Sequence, residues 1–277
     1  MDDDLVISAM KHETAEHFSR RAEAYAASPS HARGADLDIV AEFAAPGPDD
    51  ICLDIACGPG HTALRMAETA RRVIATDLAP GMIETARRMA AERGLANVLV
   101  QFAEAAALPF ADASFDLVTC RIAPHHFPDV PGFVAEAARV LKADGRFVLE
   151  DSLAPDDPET AAFLEDLERR RDRTHVHSLS EGEWRAAIAG AGLRIVRETV
   201  YAKVHDFGSW IRRTGLSEPE IAAIEAHVLA APPAVRDALF DIAGGAVRHL
   251  RDRKLILRAE PHGAPSTRSA AAATDLR

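Results

Sequence analysis

Between residues 50 and 152 the chain alternates short apolar segments with longer amphipathic ones. The apolar segments have the length of buried strands, and most of the intervening segments have helical spacing. In chain order the predicted strands are ICLDIA, RVIATD, VLVQFA, FDLVTC and RFVLEDS. Strands that alternate with helices predict a parallel sheet covered on both faces. The fold class is therefore predicted to be α/β, with an open, doubly wound sheet.

The segments on either side of this core complete the predicted sheet. Helical spacing at 12–27 and 34–44 places helices before the first strand. After Ser152 we predict a long helix, a shorter helix, a long strand LRIVRETVYAKVHDF and a last strand RKLILRAE, and these two strands look antiparallel. The result is a mostly parallel, seven-stranded, Rossmann-like sheet. Two further helices within 208–248 lie between the last two strands, and this segment is too short for a core of its own. We therefore expect it to form a cap.

The same pattern gives the expected domain organisation. Residues 1–260 form a single domain, because 277 residues of which 48% are hydrophobic suit one large core. Within it we expect a cofactor-binding core at 46–152, substrate-side helices and the cap at 153–248, and a last strand at 249–260. Residues 261–277 have no apolar period, so we expect a disordered tail.

Composition narrows the possible partners. The formal net charge is −11, with basic residues interspersed among acidic ones, so nucleic acid is not an expected partner. No apolar stretch reaches the roughly 20 residues of a membrane helix, and MDDDLVISAMKHE is acidic where a signal peptide is basic. We expect a cytoplasmic protein, monomeric or homodimeric, with no membrane partner. Cys52, Cys57 and Cys120 lack metal-ligand spacing, so no metal site is predicted.

The turn after the first strand, CGPGH, predicts a binding loop. Ligands of doubly wound sheets sit at the carboxyl ends of the strands, and Gly58 and Gly60 allow the backbone to turn sharply and approach a ligand closely. Asp77 ends the second strand, 17 residues after Gly60, where a carboxylate can accept hydrogen bonds from ribose hydroxyls. Together these features indicate a ligand that contains adenosine.

Two cofactor classes remain open on these residues alone. Gly58, Gly60 and Ala63 formally match the G-x-G-x-x-A pattern of dinucleotide-binding proteins, so an NAD(P)-dependent oxidoreductase is one alternative. Against it, the sequence shows no second βαβ half and no Tyr-x-x-x-Lys pair. A non-catalytic protein that binds the same ligand is a further alternative.

Four motifs in order carry a resemblance to a known family: LDIACGPGHTA, ATDLAPGMIETAR, FAEAAALPFADASFDLVTCRIAPHHFPD and EAARVLKADGRFVLED. They cover 50–152 and resemble the motifs of class I S-adenosylmethionine-dependent methyltransferases. Within that superfamily the chain is most similar to the ubiquinone/menaquinone C-methyltransferase-like group. The resemblance implies that the cofactor is S-adenosylmethionine. It also implies that a small-molecule acceptor receives the methyl group on carbon, oxygen or nitrogen, which leaves S-adenosylhomocysteine.

The resemblance also implies the cofactor-binding residues. They are Tyr25, Asp54, Gly58, Gly60, Asp77, Leu78, Met82, Glu104, Ala105 and Arg121. Asp54 and the two glycines would surround the methionine moiety and the ribose of the cofactor. Tyr25 and Arg121 would lie near the methionine end of the cofactor. The chain departs from the family at 103–106, where Ala-Glu-Ala-Ala replaces the usual Gly-Asp-Ala-Glu.

Two histidines after the fourth strand are the predicted catalytic residues. Methyl transfer is an in-line displacement to which positioning can contribute about 7–11 kcal/mol, while a general base adds a factor of about 10² to 10⁴. His125 and His126 lie in the IAPHHFPD loop, and neutral imidazole can remove a proton from an acceptor. The alternative for each is a loop histidine that only packs or caps.

Two further patterns receive a structural interpretation. His175 and His177 form an H-x-H pair without a third ligand nearby, so we expect a loop near the substrate cleft and no metal. The arginine-rich run at 169–173 is predicted to be a solvated helix face.

Overall fold

The computed structural model of the chain describes residues 3–28, 32 and 34–263. Within that part an eight-stranded sheet has the order β3-β2-β1-β4-β5-β8-β6, with β7 paired to β8. The strands are β1 Ile51–Ile55, β2 Arg72–Asp77, β3 Val98–Phe102, β4 Phe115–Arg121, β5 Leu141–Leu153, β6 Leu193–Asp206, β7 Phe240–Ala243 and β8 Ala246–Pro261. The first five strands pair in parallel, and β8 is antiparallel to β5, β6 and β7. The predicted open, doubly wound, mostly parallel sheet is thus confirmed, with eight strands in place of the predicted seven because the hairpin strand β7 was not foreseen.

Helices cover both faces of this sheet. They are α1 Asp3–Ala27, α2 Ala35–Ala44, α3 His61–Ala67, α4 Pro80–Glu92, α5 Val130–Val140, α6 Pro158–Arg171, α7 Glu181–Gly190, α8 Phe207–Arg212, α9 Glu218–Leu229 and α10 Pro233–Leu239. Local sequence determines where several helices begin. Asp157 accepts a hydrogen bond from the Thr160 backbone at the N-terminus of α6, and Ser180 and Glu183 form a capping box at the N-terminus of α7. No helix in the described part is long and apolar enough to span a membrane.

The central strands are buried on both faces, which explains their nearly continuous apolar sequences. Leu53, Leu117 and Phe147 have no exposed surface. One face packs against α5 and α7, where Trp184 is fully buried, and the other packs against α2 and α3. Burial of each large apolar side chain contributes about 1.5–3 kcal/mol, so the core fixes the position of the strand ends.

The segment between β6 and β8 contains three helices, α8–α10, where two were predicted, and also the strand β7, which was not predicted. Trp210, Ile224 and Val235 form a cluster with Leu167 of α6, so the cap packs on the main domain. Its last part, β7, forms a hairpin with β8. Gly244 and Gly245 have φ values of 62° and 74°, the signature of a tight hairpin turn.

Both ends of the chain differ in extent from the expectation. The last strand, expected at 249–260, runs from Ala246 to Pro261, and 264–277 of the expected tail lie outside the described residues.

At the other end α1 begins at Asp3 and crosses the carboxyl edge of the sheet. It touches α4 so closely that a Cβ at Gly81 would lie 2.5 Å from the carbonyl oxygen of Ser19. This contact holds α1 over the strand ends.

Candidate active site

A cleft of about 390 Å³ lies at the carboxyl ends of the parallel strands, beneath α1. Nine of the ten predicted cofactor residues line it: Tyr25, Asp54, Gly58, Asp77, Leu78, Met82, Glu104, Ala105 and Arg121. The predicted catalytic His126 lines it as well. Gly60 is not part of the lining. The structure therefore brings together residues that the sequence spreads over about a hundred positions.

The two glycines of the turn have different structural roles. A Cβ at Gly58 would meet no atom within 4 Å, so this backbone faces open space in the cleft. Gly60 starts α3 with φ of 95°, and a Cβ there would lie 3.2 Å from the Cβ of Ala86. Gly58 therefore provides access to a ligand, and Gly60 allows the turn to approach α4 closely.

Two non-glycine residues in the cleft wall also adopt a left-handed backbone conformation. Ala56 has φ of 51° and Ile122 has φ of 55°. Each follows a central strand of the sheet, β1 or β4. Such conformations are unfavourable for residues with a Cβ and are concentrated at functional sites. Neither was predicted, because sequence alone does not reveal positive φ at such positions.

Asp77 ties the glycine turn to the end of β2. Its Oδ2 accepts a hydrogen bond from the Gly58 backbone and its Oδ1 one from the Ala79 backbone, both at 2.8 Å. Burial raises the pKa of this carboxyl, although these backbone donors oppose the effect. Each oxygen keeps a second lone pair. The side chain can therefore fix the turn and still accept hydrogen bonds from a ligand.

Asp54 presents an unsatisfied acceptor at the base of the cleft. Its Oδ1 accepts a hydrogen bond from Thr119 Oγ1 at 2.7 Å, whereas Oδ2 is buried and has no hydrogen-bond partner among the described residues. Burial raises the pKa of Asp54 to about 7, against the lowering effects of Thr119 and Arg121. A buried carboxylate oxygen without a partner is costly, so this site favours a cationic or hydrogen-donating ligand group.

Arg121 is held in the cleft wall by a buried polar network. Its Nη1 donates to Asp36 at 2.6 Å and its Nε to Thr62 Oγ1 at 3.0 Å. Glu150 lies 3.8 Å away and accepts a hydrogen bond from Tyr201 at 2.7 Å, and burial raises the pKa of Glu150 to about 7. The network fixes Arg121 between α2 and the sheet.

His125 and His126 form a short 3₁₀ turn just after β4, and their rings are 4.1 Å apart. His126 Nδ1 lies 3.0 Å from the carbonyl oxygen of Thr174, which can only accept, so we assign the proton to Nδ1 and leave Nε2 as an acceptor. Burial, followed by the charge of His125, lowers the pKa of His126. His125 Nδ1 lies 2.6 Å from the fully buried Asp151.

A second cavity of about 70 Å³, here called the polar chamber, lies behind this turn. It shares Phe18, Tyr25, Ile122 and His126 with the cleft, so the two spaces meet there, and His125 lines the chamber only. Its other lining residues with ionisable side chains are Glu168, Arg171, Asp172, Lys203, His205, Arg213, Asp252 and Lys254. The cap contributes Trp210 to the same wall.

Arg171 corrects the expected solvated face at 169–173. Its side chain is 12% exposed, pairs with Glu168 at 2.9 Å and lies over the ring of Trp210 at 4.3 Å. Arg169 and Arg170 do face solvent. The expectation was wrong for Arg171 because the cap, contributed by a distant part of the chain, covers that side of α6.

The cleft also uses residues of α1 that the sequence analysis did not single out. Ile7, Met10, Lys11 and Thr14 line it, and Lys11 pairs with Glu104 across the mouth. With Phe18, these positions follow the spacing of three and four residues that places side chains on one helix face. That spacing is the signal that could have found them.

His175 and His177 both approach Glu165, at 3.3 Å and 3.5 Å. His175 also lies beside His125, with 5.7 Å between ring centroids, so the loop does reach the polar chamber's surroundings. Within residues 3–28, 32 and 34–263, no three His, Cys, Asp or Glu side chains are grouped as metal ligands.

The fold and the site have the form of an α/β nucleotide-binding protein, with an open cleft between a glycine turn and an acidic strand end. Comparison with known proteins identifies the family. The family described as "Methyltransferase domain" matches residues 53–149. The chain is 39% identical over 220 residues to YcgJ of Bacillus subtilis (strain 168), described as an uncharacterized methyltransferase, covering 79% of this chain and 87% of that protein. The crystal structure of YcgJ superposes with a TM-score of 0.78, at 34% identity, over 83% of this chain and 99% of that one.

The chain therefore belongs to the class I S-adenosylmethionine-dependent methyltransferases, and S-adenosylmethionine is its cofactor. Two partial likenesses accompany the main one. The 27-O-demethylrifamycin SV methyltransferase of Amycolatopsis mediterranei is 38% identical over 149 residues, 52% of this chain and 54% of that protein. The demethylmenaquinone methyltransferase of Symbiobacterium thermophilum is 38% identical over 112 residues, 39% of this chain and 45% of that protein. The predicted similarity to the quinone group is thus supported in part.

The cleft suits this cofactor on its own geometry. The orphaned Oδ2 of Asp54 can accept from an ammonium group, and the open space at Gly58 leaves room for a ligand against the backbone. Asp77 has free lone pairs at the end of β2. Of the three functions considered from the sequence, the family assignment supports a methyltransferase enzyme. It does not support an NAD(P)-dependent oxidoreductase or a protein that binds the ligand without catalysis.

Proposed function

We propose that this enzyme transfers the methyl group to a small organic acceptor whose reacting end lies where the cleft and the polar chamber meet. The observation that carries the proposal is the position of His126, which lines both spaces. The chamber is small, about 70 Å³, and is enclosed by α1, α6 and the cap. Two relatives are named as 27-O-demethylrifamycin SV methyltransferase and demethylmenaquinone methyltransferase, and their names support an organic compound, not a macromolecule, as the acceptor.

The cleft residues divide between the two ends of the cofactor in this proposal. Asp77 accepts hydrogen bonds from the ribose hydroxyls, and Leu78 and Met82 pack on the adenine with Glu104 and Ala105 at its edge. Asp54 accepts from the ammonium group of the methionine moiety. The bound cofactor supplies a methyl group already activated on a sulfonium. The protein's contribution is therefore chiefly positioning and exclusion of water.

Aromatic side chains surround the junction of the two spaces. Phe18 lies 5.6 Å from Tyr25 and 4.9 Å from His126, measured between ring centroids. These rings exclude water from the junction, and an aromatic face can stabilise a nearby cation by about 0.5–2 kcal/mol. Phe18 and Tyr25 therefore serve both the sulfonium side and the acceptor side of the reaction.

His126 is the proposed general base. Its Nε2 is unprotonated because Nδ1 donates to Thr174, and its lowered pKa keeps the ring neutral near pH 7. Nε2 takes the proton that the acceptor atom loses as that atom gains the methyl group. The products are the methylated acceptor, S-adenosylhomocysteine and a proton that His126 passes to solvent. His125, oriented by Asp151, is the second candidate base.

The test is acceptor-dependent formation of S-adenosylhomocysteine from a panel of phenols, hydroxy acids, quinols and amines. With a productive acceptor, His126→Gln should lower kcat by about 10²- to 10⁴-fold, because the acceptor then loses its proton to water. His249→Gln is the matched control, since His249 is a half-exposed histidine that pairs with Asp241 outside both spaces. A kcat unchanged in His126→Gln would contradict the role of His126. Failure of every small acceptor, with cofactor binding intact, would contradict the acceptor class.

The remaining expectations accompany this proposal as predictions. The strongly negative net charge argues against a nucleic-acid partner. The expected cytoplasmic location, the lack of a membrane partner and the monomeric or homodimeric state stay predictions from sequence.

A further inference from the structure

The polar chamber contains one basic side chain whose charge the protein does not pair. Three of its four Lys and Arg residues have a carboxylate partner: Arg171 with Glu168 at 2.9 Å, Lys254 with Asp252 at 2.8 Å and Lys203 with Asp36 at 3.4 Å. Arg213 also lines the chamber. Its guanidinium has no carboxylate within 4.0 Å and no hydrogen-bond partner in the described part of the chain.

The position of Arg213 is fixed by its surroundings. It directly follows α8, its backbone N–H donates to the Trp210 carbonyl, and the next residue, Thr214, accepts a hydrogen bond from Arg21 of α1. Burial, followed by the charge of Arg171, lowers the pKa of Arg213 against the smaller raising effects of Tyr25, Glu168 and Asp252, so the free protein holds this cation at a cost. An anion bound there would offset that cost.

The three carboxylates of the chamber wall already accept hydrogen bonds from other residues. Glu168 and Asp252 pair with basic side chains, and Asp172 accepts hydrogen bonds from the Thr174 backbone at 2.9 Å and hydroxyl at 2.6 Å. Arg213 is the chamber cation that has no carboxylate within 4.0 Å among the described residues, so an anionic group of a ligand can pair with it directly. A singly charged group adds the least negative charge to a wall that already contains Glu168, Asp172 and Asp252. A phosphate monoester carries about −1.5 to −2 at pH 7 and would introduce an excess of negative charge.

We propose that Arg213 binds a carboxylate of the methyl acceptor, so that the substrates are small organic acids. This rests on the proposed function, because it specifies the molecule whose reacting atom meets His126. A guanidinium can bind a carboxylate through two parallel hydrogen bonds, which orients the acceptor as well as holding it. Arg213 and His126 line the same chamber, with Phe18, Tyr25 and Trp210 beside them. The acceptor therefore has an apolar or aromatic body between its carboxylate and its reacting atom.

Calorimetric titration of the full chain saturated with S-adenosylhomocysteine tests the proposal. The probes are benzoate, its neutral analogue benzamide and the more highly charged phenyl phosphate. The wild type should bind benzoate more tightly than the other two. Arg213→Met should weaken benzoate binding at least about tenfold and leave benzamide binding unchanged, and Arg213→Lys should lie between, because it keeps the charge but loses the paired donors.

Arg212→Met is the matched control, because Arg212 is an exposed neighbour that pairs with Glu218 on the surface. Its benzoate affinity should equal that of the wild type. Equal benzoate affinity in wild type and Arg213→Met, tighter binding of benzamide or phenyl phosphate, or no benzoate binding to the wild type would each overturn the proposal. Equal affinity for S-adenosylhomocysteine in all variants shows that the fold is intact. A wild type that fails to bind S-adenosylhomocysteine would contradict the proposed function instead.

Discussion

At the scale of single residues, the cleft contains one carboxylate, Asp54, whose burial is costly without a ligand. Asp54 has one oxygen bound by Thr119 and one buried without a partner, and its pKa is raised to about 7. Asp77 instead has both oxygens engaged by backbone donors. This difference makes Asp54 the residue whose protonation should respond to cofactor binding.

S-adenosylhomocysteine should accordingly bind more tightly as the pH rises from about 6 to about 8, by at most about tenfold for each pH unit below the pKa of Asp54. The raised pKa means that Asp54 is neutral at the lower pH, and the ligand's ammonium group favours the ionised form. Binding should also release a proton, measurable by calorimetry in buffers of different ionisation enthalpy. Asp54→Asn should abolish both effects. An affinity that does not change with pH would contradict the contact between Asp54 and the ammonium group.

At the scale of secondary-structure elements, α1 is the cover of the cleft. It contributes Phe18 and Tyr25 to the junction. Its contacts with the rest of the domain include Lys11 with Glu104, Glu23 with Arg88 at 2.6 Å, and Ser19 Oγ with the Gly81 backbone at 3.1 Å. The last contact depends on glycine, since a Cβ at Gly81 would overlap the backbone of Ser19. The position of α1 is thus set by backbone packing against α4.

Gly81→Ala should push α1 away from α4, destabilise the protein by about 1–3 kcal/mol and weaken binding of S-adenosylhomocysteine. Urea unfolding and calorimetry measure the two effects. Gly190→Ala is the control, because a Cβ there meets no atom within 4 Å and alanine favours a helix. Equal stability and affinity in Gly81→Ala and wild type would show that α1 is not held by this contact.

At the scale of the whole molecule, the sequence predicted which residues line the cleft far better than which residues line the polar chamber. The cleft residues from Asp54 to Arg121 lie within one run of alternating strands and helices, where strand ends meet at one edge of the sheet. The chamber depends on contacts between distant parts of the chain. Lys254 and Asp252 lie on β8, which pairs antiparallel with β5 and β6, and Arg213 lies in the cap. Local periodicity contains no information about which distant charges such pairing brings together.

The junction of the two spaces is therefore a property of the complete fold. Phe18 comes from α1 and His126 from the turn after β4, and the cap covers the far side with Trp210. The contact between His125 and Asp151 was also unpredicted, because it needs the parallel pairing of β4 with β5 to bring the two strand ends together. In the proposed reaction, an acceptor reaches the methyl group only when all these elements are in place.

The most direct measurement is calorimetric titration of the wild type and of Asp77→Asn with S-adenosylhomocysteine and with NADH. The account predicts that S-adenosylhomocysteine binds the wild type, that its affinity falls at least about tenfold in Asp77→Asn, because an isosteric amide loses the charged acceptor for the ribose hydroxyls, and that NADH does not bind. Unaltered affinity in Asp77→Asn, or binding of NADH in place of S-adenosylhomocysteine, would contradict it.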